Sequence, residues 1–361
     1  MPSQRYHRQA ILPEIGPHGQ RRLSGARVLC IGAGGLGCGA LPYLAGAGIG
    51  HITIIDDDSV EVSNLPRQVL FTDADLGRPK AEAAADRLRA LNPEISVSGL
   101  VTRLNIDNAQ KLFEGHDVVI EGSDNFDTKF LAGDAAVKFG VPLVYGSAVG
   151  LEAQVTVFDP DHGPCLRCLY PSPPDTWVPN CAENGVLGPL VGTAGCVQAS
   201  ETIKVLLVDN GGDELSPLQG RLWMMDARDM QTRSLTIKRR QDCPCCSRKP
   251  ADIKLPRPAQ ASAMSISANE AQALTNALFL DVREPDEWAS GHIPDAVNQP
   301  LSRLVPGEAG TPATEQPCVV YCAAGSRGEL AARLLSQAGH PEVWNLRGGL
   351  AAWTGRVVKE K

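Results

Sequence analysis

Six consecutive residues limit this chain more than any others: Gly32-Ala33-Gly34-Gly35-Leu36-Gly37. They follow the apolar run Val28-Leu29-Cys30-Ile31 and open a helical pattern over residues 36–47. A strand, a glycine turn and a helix in that order present backbone amides and a helix N-terminus to a phosphate, with no Cβ in the way. Such a turn belongs in a parallel α/β sheet, and the chain continues as one. Ile52-Thr53-Ile54-Ile55, a helix over 80–91, Asp117-Val118-Val119-Ile120, a helix over 126–139 and Pro142-Leu143-Val144-Tyr145 alternate in turn. The expected fold class is α/β, with a doubly wound, largely parallel Rossmann-like sheet. The alternating runs Gln154-Val155-Thr156-Val157-Phe158 and Leu222-Trp223-Met224-Met225 add an antiparallel extension. Between them lie a Pro-rich loop over 171–189 and a helix over 191–207. Pro42 falls inside the first helix and removes a hydrogen bond there, so a kink is expected.

A chain of 361 residues exceeds the usual single-domain size. Residues 247–263 hold three prolines and no apolar period, which is linker composition. This places a first domain at 1–248, a linker at 249–263 and a smaller α/β domain at 264–361. The second domain starts with a capping box, Ser267-Ala268-Asn269-Glu270, and has strands over 279–282, 318–321 and 343–346. With 34 basic against 41 acidic residues the net charge is −7, and the basic residues are scattered, so nucleic acid is excluded as a partner. The first twelve residues are polar and no apolar run reaches the ~20 residues of a membrane span, so a cytoplasmic protein is expected. The chain has eleven cysteines, an odd number, and several fall in short-spaced clusters that suit metal or thiol chemistry better than a disulfide framework.

Asp56 stands nineteen residues after Gly37 at the end of the next strand, where a carboxylate takes two ribose hydroxyls. A nicotinamide dehydrogenase is the first alternative. Ser63-Asn64-Leu65-Pro66-Arg67-Gln68, Lys80 and Ser123-Asp124-Asn125 argue against it, because they supply two cations and a carboxylate that hydride transfer does not need. Phosphoryl chemistry does need them: Arg and Lys offset charge on a leaving pyrophosphate while a carboxylate holds Mg²⁺.

Cys165-Leu166-Arg167-Cys168 and Cys243-Pro244-Cys245-Cys246 are two C-x-x-C pairs able to share one tetrahedral Zn²⁺ through Cys165, Cys168, Cys243 and Cys246. A redox C-x-x-C and a plain buried pair are the alternatives. Cys245 is then spare, and Cys30, Cys38, Cys196 and Cys318 read as small core residues. Cys322-Ala323-Ala324-Gly325-Ser326-Arg327 lies between a strand and a helix, where amides and the helix dipole favour a thiolate or persulfide.

Arg5-Tyr6-His7-Arg8-Gln9, the glycine turn, Asp56, residues 63–68, Lys80 and Asp124-Asn125 together resemble the ubiquitin-activating-enzyme superfamily over about residues 4–247. The bacterial molybdopterin-synthase and thiamine-pathway adenylyltransferases are the most similar branch. With Asp281-Val282-Arg283-Glu284, Gly291-His292-Ile293-Pro294 and Asn345-Leu346-Arg347-Gly348-Gly349, the stretch 264–356 resembles single-domain rhodanese sulfurtransferases, with His292 in a structural loop role. The resemblance implies that Gly35, Asp56, Ser63, Asn64, Leu65, Pro66, Arg67, Gln68, Lys80, Asp124 and Asn125 bind Mg·ATP. It further implies that Arg8 reaches the nucleotide of a partner subunit in a homodimer, and that the four-cysteine zinc is structural. Cys181, in the Pro-rich loop, matches a cysteine that joins the transferred group in sulfur-transferring relatives; a bystander thiol is the alternative.

The implied reaction is adenylation of the C-terminal Gly of a ubiquitin-fold sulfur carrier protein ending in Gly-Gly. Sulfur from a Cys322 persulfide, loaded from thiosulfate or a cysteine desulfurase, then gives the carrier thiocarboxylate. An activating enzyme that passes the carrier to target proteins through a Cys181 thioester, and a dinucleotide oxidoreductase with an added sulfur domain, are the competing readings. The molybdopterin, thiamine, cysteine and tRNA-thiolation pathways all remain open.

Overall fold

The computed structural model describes residues 4–173, 185–208, 215–256, 264–304, 316–340 and 342–359. Cys181 lies outside them. The chain divides into two compact units, one carrying the described residues up to 256 and the other those from 264 onward.

In the first unit an eight-stranded sheet runs in the order β3-β2-β1-β4-β5-β6-β7-β8. The strands are β1 Arg27–Ile31, β2 His51–Ile55, β3 Ser96–Leu100, β4 Val118–Glu121, β5 Leu143–Val149, β6 Glu152–Phe158, β7 Arg221–Asp226 and β8 Gln231–Thr236. Strands β1 to β5 pair in parallel, and β6 to β8 add the antiparallel extension. β4 is buried at every position and β1 at all but its first, as expected of strands covered on both faces. The order reverses between β1 and β4, and Ile31 is in register with both Ile55 and Glu121. Gly32, Asp56 and Gly122 therefore leave the sheet at one level, in the crevice where open α/β sheets bind ligands.

The helix in which a kink was expected runs from Gly35 to Ala47 with Pro42 inside it. Packing overrides the local cost: a Cβ on Gly39 would lie 2.7 Å from Gly192 O, and one on Gly195 would lie 2.4 Å from Leu36 O. Backbone this close holds the N-terminal parts of the Gly35–Ala47 and Gly188–Leu207 helices together. Part of the stretch read as linker also docks on this unit. Lys138 Nζ donates to Ile253 O at 2.8 Å, Ile253 is buried beside the cysteine cluster, and Leu255 packs on the core.

The second unit is a five-stranded parallel sheet in the order β11-β10-β12-β13-β9, built from β9 Met264–Ile266, β10 Leu278–Asp281, β11 Val297–Asn298, β12 Cys318–Tyr321 and β13 Val343–Leu346. The capping box forms: Ser267 N donates to Glu270 Oε2 at 2.8 Å, and Glu270 N donates to Ser267 Oγ at 3.3 Å. Among the described residues no helix is long and apolar enough to cross a membrane.

Candidate functional site

Glycine is required in the 32–37 turn for reasons of space. Gly32 has φ +92°, and a Cβ on Gly37 would lie 2.3 Å from Gly32 O. A Cβ on Gly35 would meet Val191 Cγ1 at 2.6 Å and Arg67 O at 3.3 Å, and one on Gly188 would meet Pro66 O at 2.6 Å. The glycine turn, the 63–68 segment and the start of the Gly188–Leu207 helix thus converge at backbone distance. Gln68 is buried here and its Oε1 has no hydrogen-bond partner among the described residues, an orphaned acceptor that a bound ligand would satisfy.

Asp56 braces this turn from below. Its Oδ2 accepts from Ala33 N at 2.7 Å and its Oδ1 from Asp58 N at 2.9 Å. Burial raises its carboxyl above the ordinary range, opposed by the charge of Lys80. Lys80 is buried at the first position of its helix and pairs with Asp58 Oδ2 at 2.9 Å, a partner the sequence reading missed. Arg67 Nη1 donates to Ser63 O at 2.8 Å, which folds the guanidinium over its own turn.

Three residues assigned to the nucleotide also serve the local fold. Asn64 Oδ1 accepts from Glu61 N at 3.2 Å, Leu65 packs against the core, and Asn125 Oδ1 caps the Phe126–Phe139 helix by accepting from Thr128 N at 2.9 Å. Ser63 and Pro66 are exposed, as is Asp124, which stands on the loop beneath Gly32. Arg8 is exposed on a segment anchored through Tyr6, whose hydroxyl accepts from Asn92 Nδ2 at 2.9 Å.

The two C-x-x-C pairs meet. Cys165, Cys168, Cys243 and Cys246 place their sulfurs within 4.8 Å of one another, with Sγ–Sγ distances of 3.5 Å for Cys165–Cys243 and Cys168–Cys246 and 4.0 Å for Cys165–Cys168. These are too long for disulfides. Thiolates ~2.3 Å from a tetrahedral zinc stand about 3.8 Å apart, so the cluster fits that ion. Hydrogen bonding within the cluster and burial push the Cys165 and Cys246 thiols well up, a cost that a dication would reverse. Arg240 N already points at Cys168 Sγ, 3.4 Å away. Cys245 is buried beside them. Burial raises the Cys38 and Cys318 thiols to about 12, in keeping with core residues.

In the second unit Cys322 follows β12 and is fully buried, with Gly325 N donating to its Sγ at 3.0 Å. The loop closes back on the chain after β13. Leu350 N donates to Cys322 O at 2.7 Å, Ala351 N donates to Ala323 O at 3.0 Å, and a Cβ on Gly349 would lie 2.4 Å from Cys322 O. Arg327, which ends the loop, makes a two-pronged pair with Glu287 at 2.6 and 2.7 Å; its guanidinium holds the Glu287 carboxyl below the ordinary range. Arg283 and Asp281 form a second, buried pair, and Arg283 Nη2 also donates to Gly291 O at 2.7 Å. His292 is structural: it stacks on Trp288 with ring centroids 3.5 Å apart and exchanges main-chain hydrogen bonds with Val358.

Comparison with known proteins finds a family match for each unit. The ThiF family model covers residues 6–245 and the rhodanese-like domain model residues 266–356. The chain is 38% identical to the adenylyltransferase and sulfurtransferase MOCS3 of Culex quinquefasciatus, over 99% of this chain and 88% of that protein. It is 40% identical to the probable adenylyltransferase/sulfurtransferase MoeZ of Mycobacterium tuberculosis, over 98% of this chain and 93% of that one. The SAMP-activating enzyme E1 of Haloferax volcanii is 47% identical over 67% of this chain and 88% of its own length. Among solved structures, E. coli MccB with ATP shares the fold at a TM-score of 0.56 and 24% identity, covering 63% of this chain and 69% of that one. With a glycine-turn crevice in one unit and a cysteine loop in the other, the chain belongs to the ThiF family, as an enzyme of the adenylyltransferase/sulfurtransferase kind with a C-terminal rhodanese domain.

Proposed function

We propose that this enzyme makes the thiocarboxylate of a ubiquitin-fold sulfur carrier protein ending in Gly-Gly. The carrier's terminal carboxylate attacks the α-phosphate of ATP in the 32–37 crevice, pyrophosphate leaves, and an acyl-adenylate forms. A thin glycine tail suits an approach lined by backbone. Lys80 and Arg67 offset charge on the departing phosphates, Asp56 orients the ribose end, and residues 63–68 and 122–125 wall the nucleotide. Asp124 is the residue that would hold Mg²⁺, which neutralises phosphate charge. Arg8 reaches the nucleotide of the partner subunit in a homodimer, so dimerisation is part of this reading.

Cys322 takes a sulfur atom from thiosulfate or a cysteine desulfurase as a persulfide. The outer sulfur attacks the adenylate carbonyl, AMP leaves, and an acyl disulfide to Cys322 results. Attack by a second thiol, for which Cys181 is the candidate, on the Cys322 sulfur releases the carrier thiocarboxylate and leaves a Cys181–Cys322 disulfide, which a cellular dithiol reduces. The four-cysteine cluster holds structural zinc, and catalysis belongs in the cytoplasm. What supports the reading most is the presence on one polypeptide of a glycine-lined crevice and a buried thiol that accepts from a main-chain amide at the end of a strand.

The test is carrier-dependent ATP–pyrophosphate exchange with Gly-Gly carriers from the molybdopterin, thiamine, cysteine and tRNA-thiolation pathways, followed by mass spectrometry of the productive carrier. The expected product shows one oxygen replaced by sulfur. A carrier recovered only as a thioester or isopeptide conjugate would sink this reading in favour of transfer to proteins.

A further inference from the structure

Beneath the 122–125 loop lies a buried ion pair that the chemistry above does not use. Glu121, the last residue of β4, is fully buried and in register with Ile31, the residue before Gly32. Its Oε1 accepts from Ser123 N at 2.9 Å and from the Ser123 hydroxyl, and its Oε2 pairs with Lys129 Nζ at 2.5 Å. Lys129 is the fourth residue of the Phe126–Phe139 helix and is 5% exposed. It also donates to Gly146 O of β5 at 2.9 Å and lies 4.8 Å from the centre of the Tyr145 ring. The main chain is fixed as well, because Gln198 Nε2 donates to Glu121 O at 2.8 Å.

Stability alone does not account for this pair. Removing two charges from water offsets most of what their attraction returns, and apolar residues of similar volume serve as well or better. What they could not do is hold Ser123 by both its amide and its hydroxyl. The far end of the same loop is tied by the Asn125 cap. Between these two ties Asp124 is the exposed residue, and the loop runs directly under Gly32, where a Cβ would lie 3.1 Å from Gly122 O.

We propose that Glu121, with Lys129 as its counter-charge, is a positioning residue for adenylation. It clamps Ser123 so that the loop presents Asp124 at the mouth of the crevice, and it does not itself touch the nucleotide. This deepens the proposed function and rests on it.

The test uses the full-length enzyme with the carrier that supports wild-type exchange. Glu121→Leu/Lys129→Met removes both charges together, so neither is left buried and unpaired, and Ser123→Ala removes only the hydroxyl. The double variant is expected to melt near the wild-type temperature and to keep thiosulfate:cyanide sulfur transfer. It should lose about 10- to 100-fold in kcat for exchange with little change in the KM for ATP, and should need more Mg²⁺. Ser123→Ala should move kcat and Mg²⁺ requirement the same way by less. A folded double variant with wild-type kcat and Mg²⁺ requirement overturns the proposal. If the double variant does not fold, unchanged kcat and Mg²⁺ requirement in Ser123→Ala overturn it instead. Asp124→Ala, measured alongside, separates the two levels. Unchanged exchange there refutes the crevice reading itself, whereas loss there with wild-type behaviour in the other variants refutes only the clamp.

Discussion

The 32–37 turn and the loop from Cys322 to Arg327 share one plan, strand then tight turn then helix, yet they complete their sites in opposite ways. The first contributes almost nothing but backbone; the side chains proposed to complete it come from Asp56 and the 122–125 loop, brought level by the register of β1, β2 and β4, and from residues 63–68 and Lys80. The second carries its own proposed nucleophile, Cys322, whose sulfur accepts from Gly325 N of the same loop, and is buttressed by the neighbouring segment at residues 348–351. A distributed site can lose one side chain and keep its architecture, while a self-contained loop depends on tight packing around a single atom.

The largest test of that contrast is to remove one group from each site. Cys322→Ala should abolish thiosulfate:cyanide sulfur transfer, since no nearby group replaces the nucleophile, and leave pyrophosphate exchange intact. Asp124→Ala should lower exchange by ~10²–10³ and leave sulfur transfer intact. Both assays on both variants decide the matter; thiocarboxylate made from thiosulfate by Cys322→Ala at the wild-type rate would show that the second unit is not the donor.

Glycine substitutions sharpen the comparison. Gly349 has φ +59° and a Cβ there would press on Cys322 O, while a Cβ on Gly37 would press on Gly32 O. Gly349→Ala should cut sulfur transfer, and Gly37→Ala exchange, each by about 10- to 100-fold and each leaving the other activity alone. Cross-effects in the paired assays would mean that the sites are not independent.

Zinc should matter to stability rather than to chemistry. Cys168→Ala, or chelation, should lower the melting midpoint by about 10 °C while the folded fraction keeps its specific activity. Metal analysis near zero in fully stable protein would remove the zinc assignment.

The smallest effect concerns acid. Because Arg327 depresses the Glu287 pKa, the pair contributes stability that is present above the ordinary value of 4.5 and is lost as pH falls through the lower folded value. Wild type should therefore melt above Glu287→Gln near neutrality, and the gap should close as pH is taken from about 6 to about 3. A gap of constant size across that range would show that the carboxylate charge contributes nothing.

How legible each site was follows from the same contrast. The Cys322 loop, the Ser267–Glu270 box and the glycine turn are contiguous patterns, and each appears in the structure where the sequence placed it. For the residues proposed to bind the nucleotide, the local partners were not anticipated: Lys80 with Asp58, Asn64 with Glu61 and Asn125 with Thr128. The Glu121–Lys129 pair was missed, although a lone charge closing the apolar run Val118-Val119-Ile120 was a signal that could have found it.

By itself, then, the sequence determined the turns, caps and thiol motifs, because their geometry is set by sterics and hydrogen bonds among residues a few positions apart. Only the tertiary structure decided that Cys165 meets Cys243, that the helix passes through Pro42, and that Ile31 stands level with both Ile55 and Glu121. Those outcomes depend on how the whole core packs, with close backbone contacts such as Gly39 against Gly192 outweighing local preference, and no short window of residues contains that sum.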